Sequence, residues 1–87
     1  MKVIFEKSLP TIVDRPPGLG PVEQTLWRDL DDGKFYVSSA TTVFGRPETL
    51  VFPAEADGEI VSYSELGGVR ERNHRAAIEA AGFEVVS

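Results

Sequence analysis

The longest uninterrupted β-prone segment of this chain, Lys34–Phe44, constrains its fold more than any other feature. The segment is rich in Phe, Tyr, Val and Thr and contains no glycine or proline, and these are side chains that favour strands. Alternate residues of a strand point to opposite faces, and neither face of this segment is fully polar. We therefore predict that Lys34–Phe44 is an interior strand, long enough that it could also bend across a core.

Shorter segments on either side have the composition of further strands, with branched or aromatic residues flanked by turn residues. Asp32-Gly33 is a strong hairpin signal, and Pro53 is expected to stop a strand because proline lacks a donor for the ladder. Residues 10–21, rich in proline and glycine, are predicted to form an exposed loop, and residues 64–68 an irregular tract. The additional predicted strands are Lys2–Lys7, Val22–Arg28, Thr49–Phe52, Glu59–Tyr63 and Phe83–Val86.

One segment, Asn73–Ala81, has the pattern of a helix. Asn73 is suited to the N-cap, the residues after it have high helix propensity, and Gly82 fits the left-handed position that ends many helices. Phe83 is expected to fold back on Ile78. Together the segments predict an α+β fold: a small, mostly antiparallel β-sheet of three to five strands with one C-terminal α-helix packed on a face.

Length and charge limit the classes of protein to which the chain can belong. Its 87 residues suffice for a single domain, residues 1–87. A formal net charge of −5 argues against a nucleic-acid partner and against docking on a membrane with anionic lipids. No apolar run could span a bilayer, and Glu6 and Lys7 interrupt the apolar start that a secretory signal needs. The chain has no cysteine, which excludes disulfides and thiolate zinc sites, and a cytoplasmic location is expected.

The C-terminal half carries a distinctive pattern of strand and turn residues. It comprises Pro47-Glu48-Thr49-Leu50-Val51-Phe52-Pro53-Ala54, Asp57-Gly58, Tyr63-Ser64-Glu65-Leu66 and the ending Ala81-Gly82-Phe83-Glu84-Val85. In this pattern the chain resembles a group of small hypothetical proteins of actinobacteria and their phages. The resemblance contains no catalytic motif. It implies an accessory or phage-encoded protein and no particular activity.

The only histidine, His74, lies in the one basic segment of the chain, Arg70–Arg75, which we call the arginine segment. A histidine flanked by arginines can bind phosphate or act as an acid or base. The simpler interpretation is a solvated helix start, neutralised by the nearby carboxylates of Glu71 or Glu79. Cations at this position oppose the helix dipole, however, which favours acidic groups of a partner as their counterparts. The cations concerned are Arg70, Arg72 and Arg75.

Two acidic clusters contain carboxylates of the kind that bind hard cations. Residues 55–60 resemble the middle of an EF-hand calcium loop, but that loop needs an acidic first ligand and a glutamate at its twelfth position. Those two positions are Pro53 and Ser64 here. The three aspartates within residues 29–32 precede Gly33, as in a solvated hairpin turn. We therefore predict no calcium site at Glu55–Glu59, no other metal site and no cofactor.

Two further features bear on partners. Trp27 has two possible roles, a core side chain, which is the default on a strand, or an interface residue, since Trp is enriched at binding hot spots. Between Pro47 and Val69 there are five acidic side chains and no basic one. Such a stretch is typical of a solubilising surface, and it can also attract a basic partner.

No set of residues has the pattern of a catalytic site. We therefore predict a non-enzymatic protein-interaction module that binds a protein partner or forms a homo-oligomer. The alternative hypothesis is a small enzyme, or an anion- or ligand-binding protein, that uses the arginine segment with His74. A pocket containing His74 and a carboxylate would favour this alternative, whereas an exposed apolar patch or a bare sheet edge would favour the interaction module. The residues predicted to bind a partner are Trp27, Arg70, Arg72, His74 and Arg75.

Overall fold

One sheet of six strands and one short helix form the body of the molecule in the computed structural model, which describes residues 1–86. The elements are β1 (Lys2–Ser8), β2 (Glu23–Asp29), β3 (Phe35–Val43), β4 (Arg46–Ala54), β5 (Gly67–Val69), α1 (His74–Ala80) and β6 (Glu84–Val86). Across the sheet the strands follow the order β5-β4-β3-β2-β1-β6. All neighbouring strands are antiparallel except β1 and β6, which are parallel.

The predicted interior strand is confirmed, because β3 lies between β2 and β4. The predicted Asp32-Gly33 turn joins β2 to β3, and the Gly33 N–H donates to the Asp29 carbonyl at 3.0 Å. Tyr36 faces the helix and Val37 faces the opposite side, and both are buried. At Tyr36 and Val37 the sheet is therefore covered on both faces, as the mixed apolar pattern of this strand predicts.

The α+β fold with a mostly antiparallel sheet is confirmed, but the predicted number of strands, three to five, is wrong. The predicted strand Thr49–Phe52 is also too short, because β4 runs well beyond it and contains both Pro47 and Pro53. The Pro53 carbonyl accepts the Val61 N–H at 2.9 Å, so the backbone polar groups of Pro53 point away from β3. Pro47 and Pro53 are an even number of residues apart in β4, so the backbone polar groups of Pro47 also point away from β3. The donors that the two prolines lack are therefore on the outer edge, and the ladder with β3 continues.

The strand that was not predicted is β5, which occupies part of the tract predicted to be irregular. A Cβ atom at Gly67 would lie 2.7 Å from the Ala81 Cα, and one at Gly68 would lie 2.5 Å from the Thr49 carbonyl oxygen. Glycine allows the backbone to approach its neighbours this closely. A Gly-Gly-Val sequence has little strand propensity, so β5 forms because it fits between β4 and the end of the helix.

The predicted helix is confirmed in position. It starts after Asn73, whose Oδ1 accepts a first-turn N–H at 2.9 Å. It ends before Gly82, which has a φ of +98°, and the Phe83 N–H donates to the Ile78 carbonyl at 3.2 Å. No helix among residues 1–86 is long and apolar enough to cross a membrane.

The main core lies between α1 and one face of the sheet. Ile78 has no exposed surface, and burying a side chain of this size contributes about 1.5–3 kcal/mol. The rings of Tyr36 and Phe83 are 4.6 Å apart between centroids, so the residue after the helix cap also anchors the helix to β3. The core residues are Val3, Trp27, Tyr36, Val51, Ala77, Ile78 and Phe83.

Two loops cover part of the opposite face, and we call residues 9–22 the first arm and residues 55–66 the second arm. They meet where Leu9 lies against Gly58, so closely that a Cβ at residue 58 would be 2.7 Å from Leu9 Cδ1. The predicted strand Glu59–Tyr63 is wrong, since the second arm turns away from the sheet after one isolated bridge. The isolated bridges of the arms are Ile12↔Val22, Leu19↔Val43 and Ala54↔Ile60.

Candidate functional site

Two of the predicted site residues, Trp27 and His74, are linked through the buried hydroxyl of Ser38. The Trp27 Nε1–H donates to Ser38 Oγ at 2.8 Å, and Ser38 Oγ lies 2.6 Å from His74 Nδ1. Ser38 Oγ accepts from Trp27, and its hydrogen bond with His74 Nδ1 can run in either direction, because the donor and acceptor roles depend on the imidazole tautomer. The chain of hydrogen bonds connects β2, β3 and the first residue of α1.

The surroundings of His74 favour its neutral form. Burial lowers the pKa of His74 below its ordinary value; the Glu23 carboxylate and the Ser38 backbone act in the opposite direction, and the Arg72 guanidinium lowers the pKa further. Ser38 is fully buried, so a substrate could reach its hydroxyl only if the helix moved. Ser38 and His74 can therefore hold the helix and the Trp27 ring in position without taking part in a reaction.

The arginine segment does not form one cationic cluster with His74 at its centre. Arg72 pairs with Glu23 of β2 at 2.9 Å, and Arg75 pairs with Glu79 one helical turn later at 3.7 Å. Both pairs are exposed, and such pairs contribute about 0–1 kcal/mol. Arg70 instead lines a depression of about 570 Å³ beside Arg46. His74 lines none of the four depressions described between residues 1 and 86.

Trp27 takes the core position that is the default for a strand aromatic. Only 5% of its surface is exposed, and the ring of Phe5 packs edge-on against it with centroids 6.2 Å apart. Phe5 itself is 53% exposed. A partner on this side of the sheet would therefore meet Phe5 before Trp27.

In both acidic clusters an aspartate side chain accepts a hydrogen bond from the backbone of its own turn. Asp29 Oδ1 accepts the Asp31 N–H at 2.7 Å, and Asp57 Oδ1 accepts the Glu59 N–H at 2.9 Å. Asp29 is fully buried, and its Oδ2 has no hydrogen-bond partner among the described residues. Within residues 1–86, no three His, Asp or Glu side chains come together as a metal-binding group.

One cavity lies on the sheet face opposite the helix, between the two arms, and we call it the apolar groove. Its volume is about 340 Å³, which is within the range of ligand sites in proteins. The rings of Phe52 and Tyr63 pack with centroids 5.6 Å apart at one end. The apolar lining consists of Ile12, Val22, Val43, Leu50, Phe52, Ile60 and Tyr63.

Most polar groups in the groove already have partners inside the protein. Gln24 Nε2 donates to Ser39 Oγ at 3.0 Å, and Thr41 Oγ1 donates to the Gly20 carbonyl at 3.1 Å. Arg15 Nη1 donates to the same carbonyl at 3.2 Å, and Arg15 is the one cation in the lining. Glu48, near Val43, is the one carboxylate. A bound molecule would thus meet mainly apolar surface, with one charge of each sign away from Tyr63.

Five exposed acidic side chains lie in two turns near the Tyr63 end of the groove. Phe35 pairs with Ala54, which brings the β2–β3 turn (residues 30–34) beside the tip of the second arm (residues 55–59). We call these two tips the acidic end. Lys34 is the one cation in these two ranges. Burial, then the carboxylates of Asp32 and Asp29, raise the pKa of nearby Tyr36, as expected for a negative potential here. The exposed carboxylates are Asp31, Asp32, Glu55, Asp57 and Glu59.

The groove has no local signal in the sequence. Leu50 and Phe52 alternate along β4 in a way that places both on one face, but nothing local shows that the arms leave this face partly open. Tyr63 lies on an exposed loop with 78% of its surface accessible, and not on the predicted strand Glu59–Tyr63. The acidic stretch is visible in the sequence, and only its position beside the β2–β3 turn depends on the fold.

Comparison of this chain with protein-family models, with curated proteins and with solved structures finds no match. The functional assignment therefore rests on the chemistry of the groove and of the acidic end.

Proposed function

We propose that this protein is a non-enzymatic interaction module that binds a protein partner through the apolar groove. The observation that supports this most is the exposure of large apolar side chains along the groove, with Ile12 and Tyr63 on its two rims. Contiguous exposed apolar surface next to charged residues is typical of protein-binding sites. Tyrosine is also among the residues that contribute most to binding energy at interfaces.

The proposal also includes the origin of this protein and of its partner. The C-terminal half resembles small proteins of actinobacteria and their phages, which is consistent with a phage-encoded or accessory protein acting on a host protein in the cytoplasm. Self-association is the other form that the module could take, and the groove would then hold a second copy.

The alternative of a small enzyme or anion-binding protein has weaker support. It requires His74 and the arginine segment to face one cavity, but His74 bonds to buried Ser38, and Arg70 lines a depression that His74 does not. Arg72 and Arg75 each have a carboxylate of the same chain as a partner.

Peptide display against the purified protein tests the proposed function. Selected peptides should lose at least about tenfold in affinity, or about 1.4 kcal/mol, on the double variant Ile12→Ser, Tyr63→Ser. The matched control is Val13→Ser, Leu30→Ser, which removes two exposed apolar side chains that do not line the groove. Circular dichroism melts confirm that both variants fold. Failure to recover peptides, or equal binding to the groove variant and the wild type, would contradict the proposal.

A further inference from the structure

We propose that the apolar groove binds an extended polypeptide segment in which apolar side chains are followed or preceded by lysine or arginine, with the basic residues at the acidic end. This inference rests on the proposed function and specifies the chemistry of the partner.

The width of the groove supports an extended occupant. Its lining spans β2, β3 and β4, which is two inter-strand spacings, or roughly 10 Å. The two arms lie over the same face of the sheet and reduce the width that is available to a bound molecule. An α-helix with its side chains has a diameter of about 10–12 Å, whereas an extended chain needs about half of that.

The length of the groove supports a short apolar stretch. Along β3 the lining runs from Ser39 to Val43, which corresponds to roughly 13 Å at the rise of a strand. An extended peptide covers this distance with about four residues, of which alternate side chains face the groove. Two or three apolar side chains therefore suffice to fill it.

The distribution of charge supports basic residues at one end. Phe52, Ile60 and Tyr63 line the end of the groove nearest to Ala54 of β4, and the acidic end begins there. Its carboxylates Glu55 and Glu59 are exposed, and neither has a cation within salt-bridge distance among residues 1–86. A lysine or arginine leaving the groove at this side would find them unpaired. Complementary charge of this kind raises association rates and selects among partners.

The test uses fluorescein-labelled peptides in which a short alternating Val/Thr stretch is followed by lysines, measured by fluorescence polarisation. The comparison peptide has glutamates in place of the lysines. Two protein variants with equal net charge distinguish an effect of charge position from an effect of total charge. Glu55→Lys, Glu59→Lys changes the acidic end. Glu71→Lys, Glu84→Lys changes exposed residues elsewhere.

The lysine peptide should bind the wild type and the Glu71, Glu84 variant, and bind the Glu55, Glu59 variant about tenfold more weakly. Equal binding of the lysine and glutamate peptides, equal weakening by both variants, or no binding of the lysine peptide would overturn the inference. So would a groove-dependent dimer in sedimentation, since the occupant would then be a second copy. Groove-dependent peptides from display that lack an excess of basic residues would overturn this inference and leave the proposed function standing.

Discussion

Ser38 shows how much one small buried side chain can organise in this protein. Its hydroxyl accepts from Trp27 and contacts His74 Nδ1, so a residue with no exposed surface links two strands and a helix. Leaving a buried donor without an acceptor costs about 1–3 kcal/mol, which makes this link a constraint on the position of the helix. Because His74 is part of this link, its protonation and the stability of the fold depend on each other.

We expect stability to fall as the pH is lowered through the titration of His74. Because burial lowers the pKa of His74 in the folded protein, the unfolded chain takes up a proton first, near the ordinary value of about 6.5. The stabilisation is therefore complete above about pH 6.5 and is lost as the pH falls toward the lower folded pKa. Urea midpoints measured between about pH 8 and about pH 5.5 check this.

The control for this prediction is His74→Gln, whose uncharged side-chain amide can donate to Ser38 or accept from it. Glu23 and Arg72, which face His74 from β2 and from the preceding loop, remain in place in this variant. The variant should lose less stability over the same pH range. If it loses as much as the wild type, other groups account for the pH dependence and His74 does not.

At the level of elements, β4 and β5 show how context decides whether a segment becomes a strand. Two prolines in β4 are tolerated because the donors they lack would point away from β3. The glycines of β5 allow the strand to lie within contact distance of Ala81 and Thr49. In both cases the neighbouring backbone, and not the propensity of the segment, determines the structure.

We expect Gly67→Ala to destabilise the protein by about 1–3 kcal/mol, as overpacking usually does. The new Cβ would lie 2.7 Å from Ala81 Cα, so β5 and the end of α1 would have to separate. The matched control is Gly20→Ala, where the nearest atom, Thr42 Cβ, lies at an ordinary 3.4 Å. Urea unfolding of both variants is the measurement, and equal stability of the two would show that the helix end can shift without cost.

At the scale of the whole molecule, charge is distributed unevenly along β4. Arg46 and Arg70 lie together at the start of the strand, and the acidic end lies at the other. Part of the net charge of −5 is thus concentrated in two adjacent tips, where like charges repel. This arrangement suits attraction of a basic segment better than stability of the free protein.

We expect the variant Glu55→Lys, Glu59→Lys to melt about 2–5 °C above the wild type at low ionic strength, because it relieves this repulsion. The gain should vanish near 1 M salt, where the Debye length is about 3 Å. The variant Glu71→Lys, Glu84→Lys should show no gain, since Glu71 lies between Arg70 and Arg72. An equal rise in both variants would mean that only total charge matters.

Local sequence determined the features that depend on nearest neighbours. The β3 segment could be assigned because branched and aromatic residues fit a pleated surface covered on both sides. The helix limits followed from the cap chemistry of Asn73 and Gly82, and the first hairpin from Asp32-Gly33. The acidic stretch was likewise visible, because charge is a property of composition.

Only the tertiary structure decided the features that depend on residues far apart in sequence. Pairing of Phe35 with Ala54 brings the two acidic tips together, and the meeting of Leu9 with Gly58 sets the arms around the groove. The link from Trp27 to His74 runs through Ser38, which has no distinguishing sequence pattern. Such contacts arise from register and close packing across the sheet, and these are not encoded by the periodicity of any single segment.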